Sequence, residues 1–147
     1  MLIIRKANER EEARLFQEAG KTIEESTAGF AKNDNPASAD MLDLLLKSGA
    51  YYLIAQEHNL IKGWILIGQD FSTLKPVQTA GIFSLYVSPE YRSSGIGRKL
   101  INYALTELKQ QGYQQVQLYV FTGNPAKRLY EQLGFKDICA LMSLEIK

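Results

Sequence analysis

The chain has 147 residues, with 17 lysines and arginines against 16 aspartates and glutamates, and a formal net charge of +1. This length fits one domain, residues 1–147, and the interspersed charges give no support for a nucleic-acid partner. A single cysteine, Cys139, and a single histidine, His58, exclude an internal disulfide and leave no basis for a cysteine- or histidine-rich metal centre. Because no window approaches twenty apolar residues, we expect a soluble, cytoplasmic protein without a membrane partner.

The first half of the chain reads as one strand, two helices and a hairpin. Asn8 and Glu11 form a capping-box pair, after which apolar residues recur at helical spacing to about Glu25. The predicted elements are a strand at 2–4, a helix to about 25, a loop at 26–38, a helix at 39–47, and strands at 50–56 and 60–67 joined by a turn at 57–59.

The second half alternates strands with helices. An irregular segment at 70–81 precedes a strand at 82–87, a helix from Arg98 to just before Gly112, a strand at 116–121, a helix opened by Asn124 and Pro125 and stopped by Gly134, and a final strand at 140–146. This order predicts an α/β fold of the α+β type, with one mixed, mostly antiparallel sheet of about six to seven strands flanked by about four helices.

A glycine-containing loop, residues 92–97, lies between the strand at 82–87 and the helix that starts at Arg98. Its two glycines let backbone N–H groups converge, and a helix N-terminus adds free amides and partial positive charge. Arg92 and Arg98 flank the loop with cations suited to phosphate oxygens. A P-loop would need Lys and then Ser or Thr where the chain has Arg98 and Lys99, and a dinucleotide fingerprint would need glycine at Leu100. The loop therefore predicts a site for a phosphate or pyrophosphate ligand.

A second motif follows on a separate element, where Asn124 precedes residues 126–135, Ala-Lys-Arg-Leu-Tyr-Glu-Gln-Leu-Gly-Phe. Together the two motifs resemble the GNAT superfamily of N-acetyltransferases, and residues 4–7 and 60–64 are similar to its earlier strands. The likeness spans essentially the whole chain. It implies a GNAT-like fold and an enzyme that moves an acetyl group from acetyl-CoA to a primary amine, by direct transfer in a ternary complex and without a metal.

The resemblance also implies where acetyl-CoA binds. The pyrophosphate would lie on the backbone amides of the glycine loop, with Arg92 and Arg98 screening its charge and Lys127 near the adenosine. The pantetheine arm would lie beside the strand at 82–87. The residues implied are Leu85, Tyr86, Val87, Arg92, Ser93, Ser94, Gly95, Ile96, Gly97, Arg98, Asn124 and Lys127.

Tyr130 matches the tyrosine that protonates the departing thiolate in many members of the superfamily. Helical spacing alone favours core packing instead, with Phe135 against its ring after the Gly134 stop. Asn124 stands six residues before Tyr130, whereas members of the superfamily commonly place the asparagine seven residues before the tyrosine, so a pantetheine contact and simple helix capping both stay open.

The general base and the acceptor are not identified by the sequence. Gly81 and Tyr119 stand where many members carry a glutamate, and the candidate bases are Glu57, His58, Asp70, Ser84 and Tyr86. The resemblance assigns the acceptor end to residues 22–40 and 70–81. A small amine, an amino acid, a peptide N-terminus and a protein lysine all stay open, as does a homodimer. The missing glutamate supports an alternative, a non-catalytic acyl-CoA-binding regulatory module.

Overall fold

The computed structural model describes residues 1–72 and 74–147, so the predicted irregular segment at 70–81 includes one residue, Thr73, that lies outside the described residues. The elements in chain order are β1 (Ile3–Lys6), α1 (Glu9–Ser26), α2 (Pro36–Lys47), β2 (Tyr51–Glu57), β3 (Leu60–Gln69), β4 (Thr79–Val87), a short 3-10 helix (Pro89–Tyr91), α3 (Ile96–Gln110), β5 (Gln115–Leu118) and α4 (Ala126–Gln132).

Local sequence signals account for the start of this arrangement. The Asn8 side chain accepts a hydrogen bond from the Glu11 N–H, and the Glu11 carboxylate accepts one from the Asn8 N–H, so the predicted capping box opens α1. His58 and Asn59 have φ angles of +53° and +62°, which form the two-residue turn that suits the twist of the β2–β3 hairpin.

One mixed sheet organises the described part of the chain, with strand order β1-β2-β3-β4-β5. The first four strands are antiparallel, and β5 runs parallel to β4. The β4–β5 ladder joins only Thr79–Ile82 to Gln115–Leu118, although β4 continues to Val87. The two strands therefore separate after Ile82, and the second half of β4 has an open edge.

Each face of the sheet carries its own hydrophobic core. On one face α3 and α4 cover a cluster that includes the fully buried Leu100, Ile101 and Leu108. On the other face α1 and α2 cover a cluster built around Leu15 and Tyr52. The open half of β4 packs against both cores, with Leu85 and Val87 on the first and Phe83 and Tyr86 on the second.

The sequence-based prediction was wrong at the final strand and in the strand count. Five strands form the described sheet instead of six to seven, and residues 140–146 pair with no strand although their apolar residues alternate. A strand needs a neighbour as well as a pattern, and here the segment runs clear of the sheet. Other bounds also differ: α2 begins at Pro36 rather than at 39, β4 begins at Thr79 because β3 and β5 pair with it on both sides, α3 begins at Ile96, and β5 ends at Leu118 rather than at 121.

Candidate active site

The open edge of β4 presents backbone hydrogen-bonding groups. Ser88 donates its N–H to the Lys62 carbonyl at 2.9 Å, and pairing in an antiparallel ladder alternates from there. Leu85 and Val87 consequently fall in the non-hydrogen-bonded pairs with β3, so their N–H and C=O groups point toward the open edge. Arg92 Nε donates to the Val87 carbonyl at 2.8 Å, which agrees with this direction.

The loop after the 3-10 helix turns sharply into α3. Ser93 and Gly95 have φ angles of +65° and +86°, and Ser94 Oγ donates to the Tyr91 carbonyl at 2.5 Å. Gly95 is the N-cap of α3 and has no side chain to accept from the first amides of that helix. These amides are therefore left for an outside acceptor, which is the property expected of an anion site.

The far wall of this loop is α4. A Cβ atom on Gly97 would lie 3.5 Å from Leu129 Cδ2, so α3 and α4 approach closely where α3 begins. Arg98 donates to Gln132 Oε1 at 2.5 Å, and Lys127 Nζ lies 3.2 Å from Asp137 Oδ2. Arg98 is exposed and Lys127 is partly exposed, and each is already held by a partner within the chain.

Tyr130 combines a buried ring with an unpaired hydroxyl. Its ring meets Phe135 edge to face at 5.9 Å, and the Phe135 N–H donates to the Tyr130 carbonyl across the Gly134 turn, so the predicted helix end and its packing are present. Within the described residues the Tyr130 hydroxyl makes no hydrogen bond. It is nevertheless not fully buried, unlike Tyr52 Oη and Trp64 Nε1, the buried side-chain atoms that have no hydrogen-bond partner. Burial raises the pKa of Tyr130 to about 12. The hydroxyl is thus a protonated donor at neutral pH.

Asn124 is engaged at both ends of its side chain. Its Oδ1 accepts from the Ala126 N–H at 2.9 Å at the start of α4, and its Nδ2 donates to the Ser26 carbonyl at 3.1 Å. The capping contact and a contact to α1 are therefore both present.

The segment at the end of α1, residues 25–30, bridges the two sides of the β4–β5 separation; we call it the α1 end segment. Glu25 forms an ion pair with Arg92 at 2.5 Å, in the loop after β4. Phe30 packs on Phe121 at 5.8 Å in the loop after β5, where Asn124 also contacts the segment. The predicted phosphate-binding arginine is therefore paired with a carboxylate of its own chain.

An open cavity of about 430 Å³ lies beside the α1 end segment. Tyr86 of β4 forms one wall, backed by Trp64, whose ring stacks on it at 4.8 Å. Burial, then the charge of Glu25, raises the pKa of Tyr86. The lining residues are Lys21, Thr22, Glu24, Glu25, Ala28, Gly29, Asn33 and Tyr86.

Sequence reasoning missed Glu24 and Glu25. The acidic residues of α1 read as a solvated helix face, and only the fold brings the last two beside Tyr86 and Arg92. The available signal was their position in the last turn of α1. A helix C-terminus disfavours negative charge, so acidic residues there suggest a role other than stabilising the helix.

The bases predicted from sequence are dispersed. Glu57 pairs with Lys62, which holds the pKa of that carboxyl below its usual range. His58 is exposed in the hairpin turn, and Asp70 accepts from Ser72 and from Gln117.

Ser84 stands two residues before Tyr86 on the same strand. Of the five predicted bases, only Tyr86 borders the cavity. Among residues 1–72 and 74–147, no cluster of three or more His, Cys, Asp or Glu side chains could share a metal ion. No helix in these ranges is long and apolar enough to cross a membrane.

Among known proteins, the acetyltransferase (GNAT) family profile matches residues 12–135 of this chain. The chain belongs to the GNAT family. A solved structure from Pyrococcus furiosus, provisionally described as an acetyl transferase, superposes with a TM-score of 0.81 at 24% identity and covers 99% of this chain and 100% of that one.

Curated relatives match over shorter stretches. The ribosomal protein bS18-alanine N-acetyltransferase of Haemophilus influenzae is 34% identical over 59 residues, 40% of each chain. The mycothiol acetyltransferase of Thermobispora bispora is 46% identical over 55 residues, 37% of this chain and 19% of that protein. The matches thus span well under half of these relatives.

Proposed function

We propose that this GNAT-family protein is an N-acetyltransferase that moves an acetyl group from acetyl-CoA to a primary amine, directly and in a ternary complex. The observation that carries the proposal is the open edge of β4 running into a glycine-containing loop that opens α3. A strand edge can receive an extended amide-containing chain, and the loop at its end can receive the anion attached to that chain.

Donor binding divides between these two parts. The N–H and C=O groups of Leu85 and Val87 pair with the amides of the pantetheine arm, and the same edge offers an N–H to polarise the thioester carbonyl. The amides at the start of α3 and the Arg92 guanidinium hold the pyrophosphate. Acetyl-CoA supplies an activated acetyl group whose leaving group is a thiolate.

The cavity beside Tyr86 is proposed as the acceptor site. It lies at the same strand as the donor edge, and the carboxylates of Glu24 and Glu25 favour an acceptor that arrives as a cation. An alkylammonium with a pKa of roughly 10.4 must lose a proton before its nitrogen can attack. Glu24 and Glu25 supply the carboxylates that line the cavity, and we propose them as the groups that accept this proton, directly or through a water molecule.

Tyr130 is proposed as the donor to the departing sulfur. Its hydroxyl has no partner among the described residues and stays protonated because its pKa is raised to about 12. Full transfer of that proton to a thiolate with a pKa of roughly 8.5 is uphill. Tyr130 therefore acts mainly by donating a hydrogen bond as the carbon–sulfur bond breaks, and its proton, if transferred, is replaced from solvent.

The test is an assay of thiol release from acetyl-CoA with a panel of amines: polyamines, aminoglycosides, amino acids, peptides with a free N-terminal alanine, and lysine peptides. The peptide with N-terminal alanine is included because one relative acetylates alanine of a ribosomal protein. Cys139 is exposed and would itself react with a thiol reagent, so the assay uses the Cys139→Ser variant with mass spectrometry of the acetylated product.

Release of one thiol for each acetylated amine is the expected result. Thermal stabilisation by CoA without acetylation of any amine would support the regulatory module instead. Absence of both would reject the donor site. The cytoplasmic location stays a prediction from the sequence.

A further inference from the structure

One wall of the cavity beside the α1 end segment already binds a cation of the chain itself. The Arg92 guanidinium pairs with the Glu25 carboxylate, and its Cζ atom lies 5.2 Å from the centroid of the Tyr86 ring. A carboxylate and an aromatic face bind an alkylammonium through the same interactions. When a pyrophosphate takes the guanidinium, Glu25 and the face of Tyr86 become free for a cation of the acceptor.

A pair of exposed aromatic rings lies next to this cavity. Phe30 and Phe121 are 70% and 38% exposed, and the centroids of their rings are 5.8 Å apart. Phe30 directly follows Gly29, which lines the cavity. The loop after β5 lies along the same segment, because a Cβ atom on Gly123 would be 3.8 Å from Ala28 Cβ. The two rings therefore form the rim of the cavity on the side where β5 ends.

The helices leave this rim without an apolar cover. Leu118 and Val120 pack on the core under α3 and α4. Side chains alternate along an extended chain, so Tyr119 and Phe121 lie on the opposite side. On that side α1 and α2 cover strands β2 to β4, and none of the described residues in their core comes from β5. Tyr119 is consequently 77% exposed. We call the apolar surface of Phe30, Tyr119 and Phe121 the aromatic rim.

The position of the aromatic rim indicates what covers it. Single exposed apolar side chains are common on protein surfaces, whereas neighbouring ones mark a binding site. The rim is continuous with a cavity whose carboxylates, Glu24 and Glu25, attract a cation. One ligand with a cation and an apolar group therefore matches both parts. A purely polar amine would use the carboxylates and leave the rings in water, and an apolar partner surface would use the rings alone.

We propose that the cavity binds a primary amine that carries an aromatic or large aliphatic group, with its ammonium on Glu25 and the face of Tyr86 and its apolar group on the aromatic rim. This inference rests on the proposed function and names the acceptor class that the function leaves open. The same chemistry is present in a free alkylamine and in a peptide whose N-terminal residue is apolar. Polyamines and aminoglycosides lack the apolar group and should be poorer acceptors.

The first measurement is a competition assay in which one enzyme sample acetylates two amines from acetyl-CoA, with the products quantified by mass spectrometry. One pair is phenylbutylamine and butylamine. The other is phenylalanine amide and alanine amide, which represent a peptide N-terminus. The phenyl compound should have a kcat/KM about 3- to 10-fold higher, because aromatic packing of this kind contributes about that factor. A preference in either pair supports the proposal and identifies the source of the amine, whereas equal rates in both pairs would overturn it.

Matched variants locate the apolar part of the site. Phe30→Ser and Phe121→Ser should each lower the preference for the phenyl compound, and Phe30→Leu should keep part of it. Tyr103→Ser is the control, because it removes an exposed ring from α3 on the opposite face of the sheet and should leave the preference intact. The ratio of two products does not depend on the amount of folded enzyme, so a folding defect alone does not change it. A preference that survives both Phe→Ser substitutions would overturn the proposal.

Calorimetry of amine binding to the CoA-bound protein separates this proposal from the proposed function. Tighter binding of phenylbutylamine than of butylamine, without acetylation of either, would refute the transferase and support the apolar amine site. Acetylation of both amines at equal rates would support the transferase and overturn the apolar amine site. If Phe30→Ser changes the mass of the chain in light scattering and keeps the preference, the aromatic rim is an interface between copies and the proposal is overturned.

Discussion

The ion pair between Glu25 and Arg92 predicts that the Glu25 carboxylate competes with the pyrophosphate of acetyl-CoA for the Arg92 guanidinium. Arg92 is the cation nearest the start of the glycine loop, and its guanidinium lies 2.5 Å from the Glu25 carboxylate. A pyrophosphate that takes this guanidinium must first break the pair. Replacing Glu25 with Gln removes the competing charge at nearly constant shape and should strengthen CoA binding.

The magnitude follows from the exposure of the two side chains. Glu25 is 51% and Arg92 41% exposed, so solvent screens the pair and its net contribution is about 0.2–1 kcal/mol. If CoA binding has to offset that amount, Glu25→Gln should lower the dissociation constant of CoA by about 1.4- to 5-fold. The gain should shrink as salt approaches about 1 M, where the screening length falls to about 3 Å.

Isothermal titration calorimetry with CoA at low and high salt measures this effect. Glu24→Gln is the matched control, because it removes the same charge one residue earlier, where the carboxylate lines the cavity without pairing with Arg92. Arg92→Gln should weaken binding in either background. Equal affinities of Glu25→Gln and wild type, or an equal gain in Glu24→Gln, would refute the reasoning.

Three further predictions follow from the site and the core. Tyr130→Phe should lower kcat about 100-fold or more while the dissociation constant of CoA changes less than about twofold, measured by turnover and calorimetry; an unchanged kcat with a good acceptor would exclude hydrogen-bond donation to the departing sulfur. Gly95→Ala and Gly112→Ala both add a Cβ into open space at a left-handed φ, +86° and +93°, so each should cost about 1–2 kcal/mol in denaturant unfolding. Only Gly95→Ala should weaken CoA binding, and equal weakening by both substitutions would contradict binding of the pyrophosphate at the glycine loop. Burial raises the pKa of Tyr51, Tyr52 and Tyr130 to about 12, so the stability linked to their neutral forms is complete below about pH 10 and lost as pH rises toward 12; thermal unfolding between these pH values should show a falling midpoint, and a flat profile would contradict it.

Much of the fold could be predicted from the sequence because its signals are local. The Asn8–Glu11 capping box, the turn at His58 and Asn59, and the helix end at Gly134 each appear at the predicted position. Such features depend on residues within one turn or hairpin, so no knowledge of the tertiary structure is needed.

The failures concern elements that depend on partners distant in sequence. Residues 79–81 carry a weak strand pattern, yet they are strand because β3 and β5 flank them. Residues 140–146 carry a strong strand pattern, yet they pair with no strand of the described sheet. Strand formation is decided by the neighbour that supplies hydrogen bonds, and a sequence does not say which neighbour is within reach.

The same distinction applies to the candidate site. The glycine loop and the α4 motif are continuous in sequence and identify the donor side, whereas the cavity joins the end of α1 to β4. The position of Glu24 and Glu25 beside Tyr86 and Arg92 could not be predicted, because Tyr86 and Arg92 lie about sixty residues further along the chain.

Glu25 links the two halves of the proposed reaction. While it pairs with Arg92 its charge is partly neutralised, and when a pyrophosphate takes Arg92 the carboxylate is left beside the cavity that Tyr86 lines. A cationic acceptor then meets a more negative site in the presence of donor than in its absence. Because coupling between two ligands is reciprocal, bound acceptor must strengthen donor binding by the same factor. One carboxylate can thus make donor and acceptor bind cooperatively without any large movement of the fold.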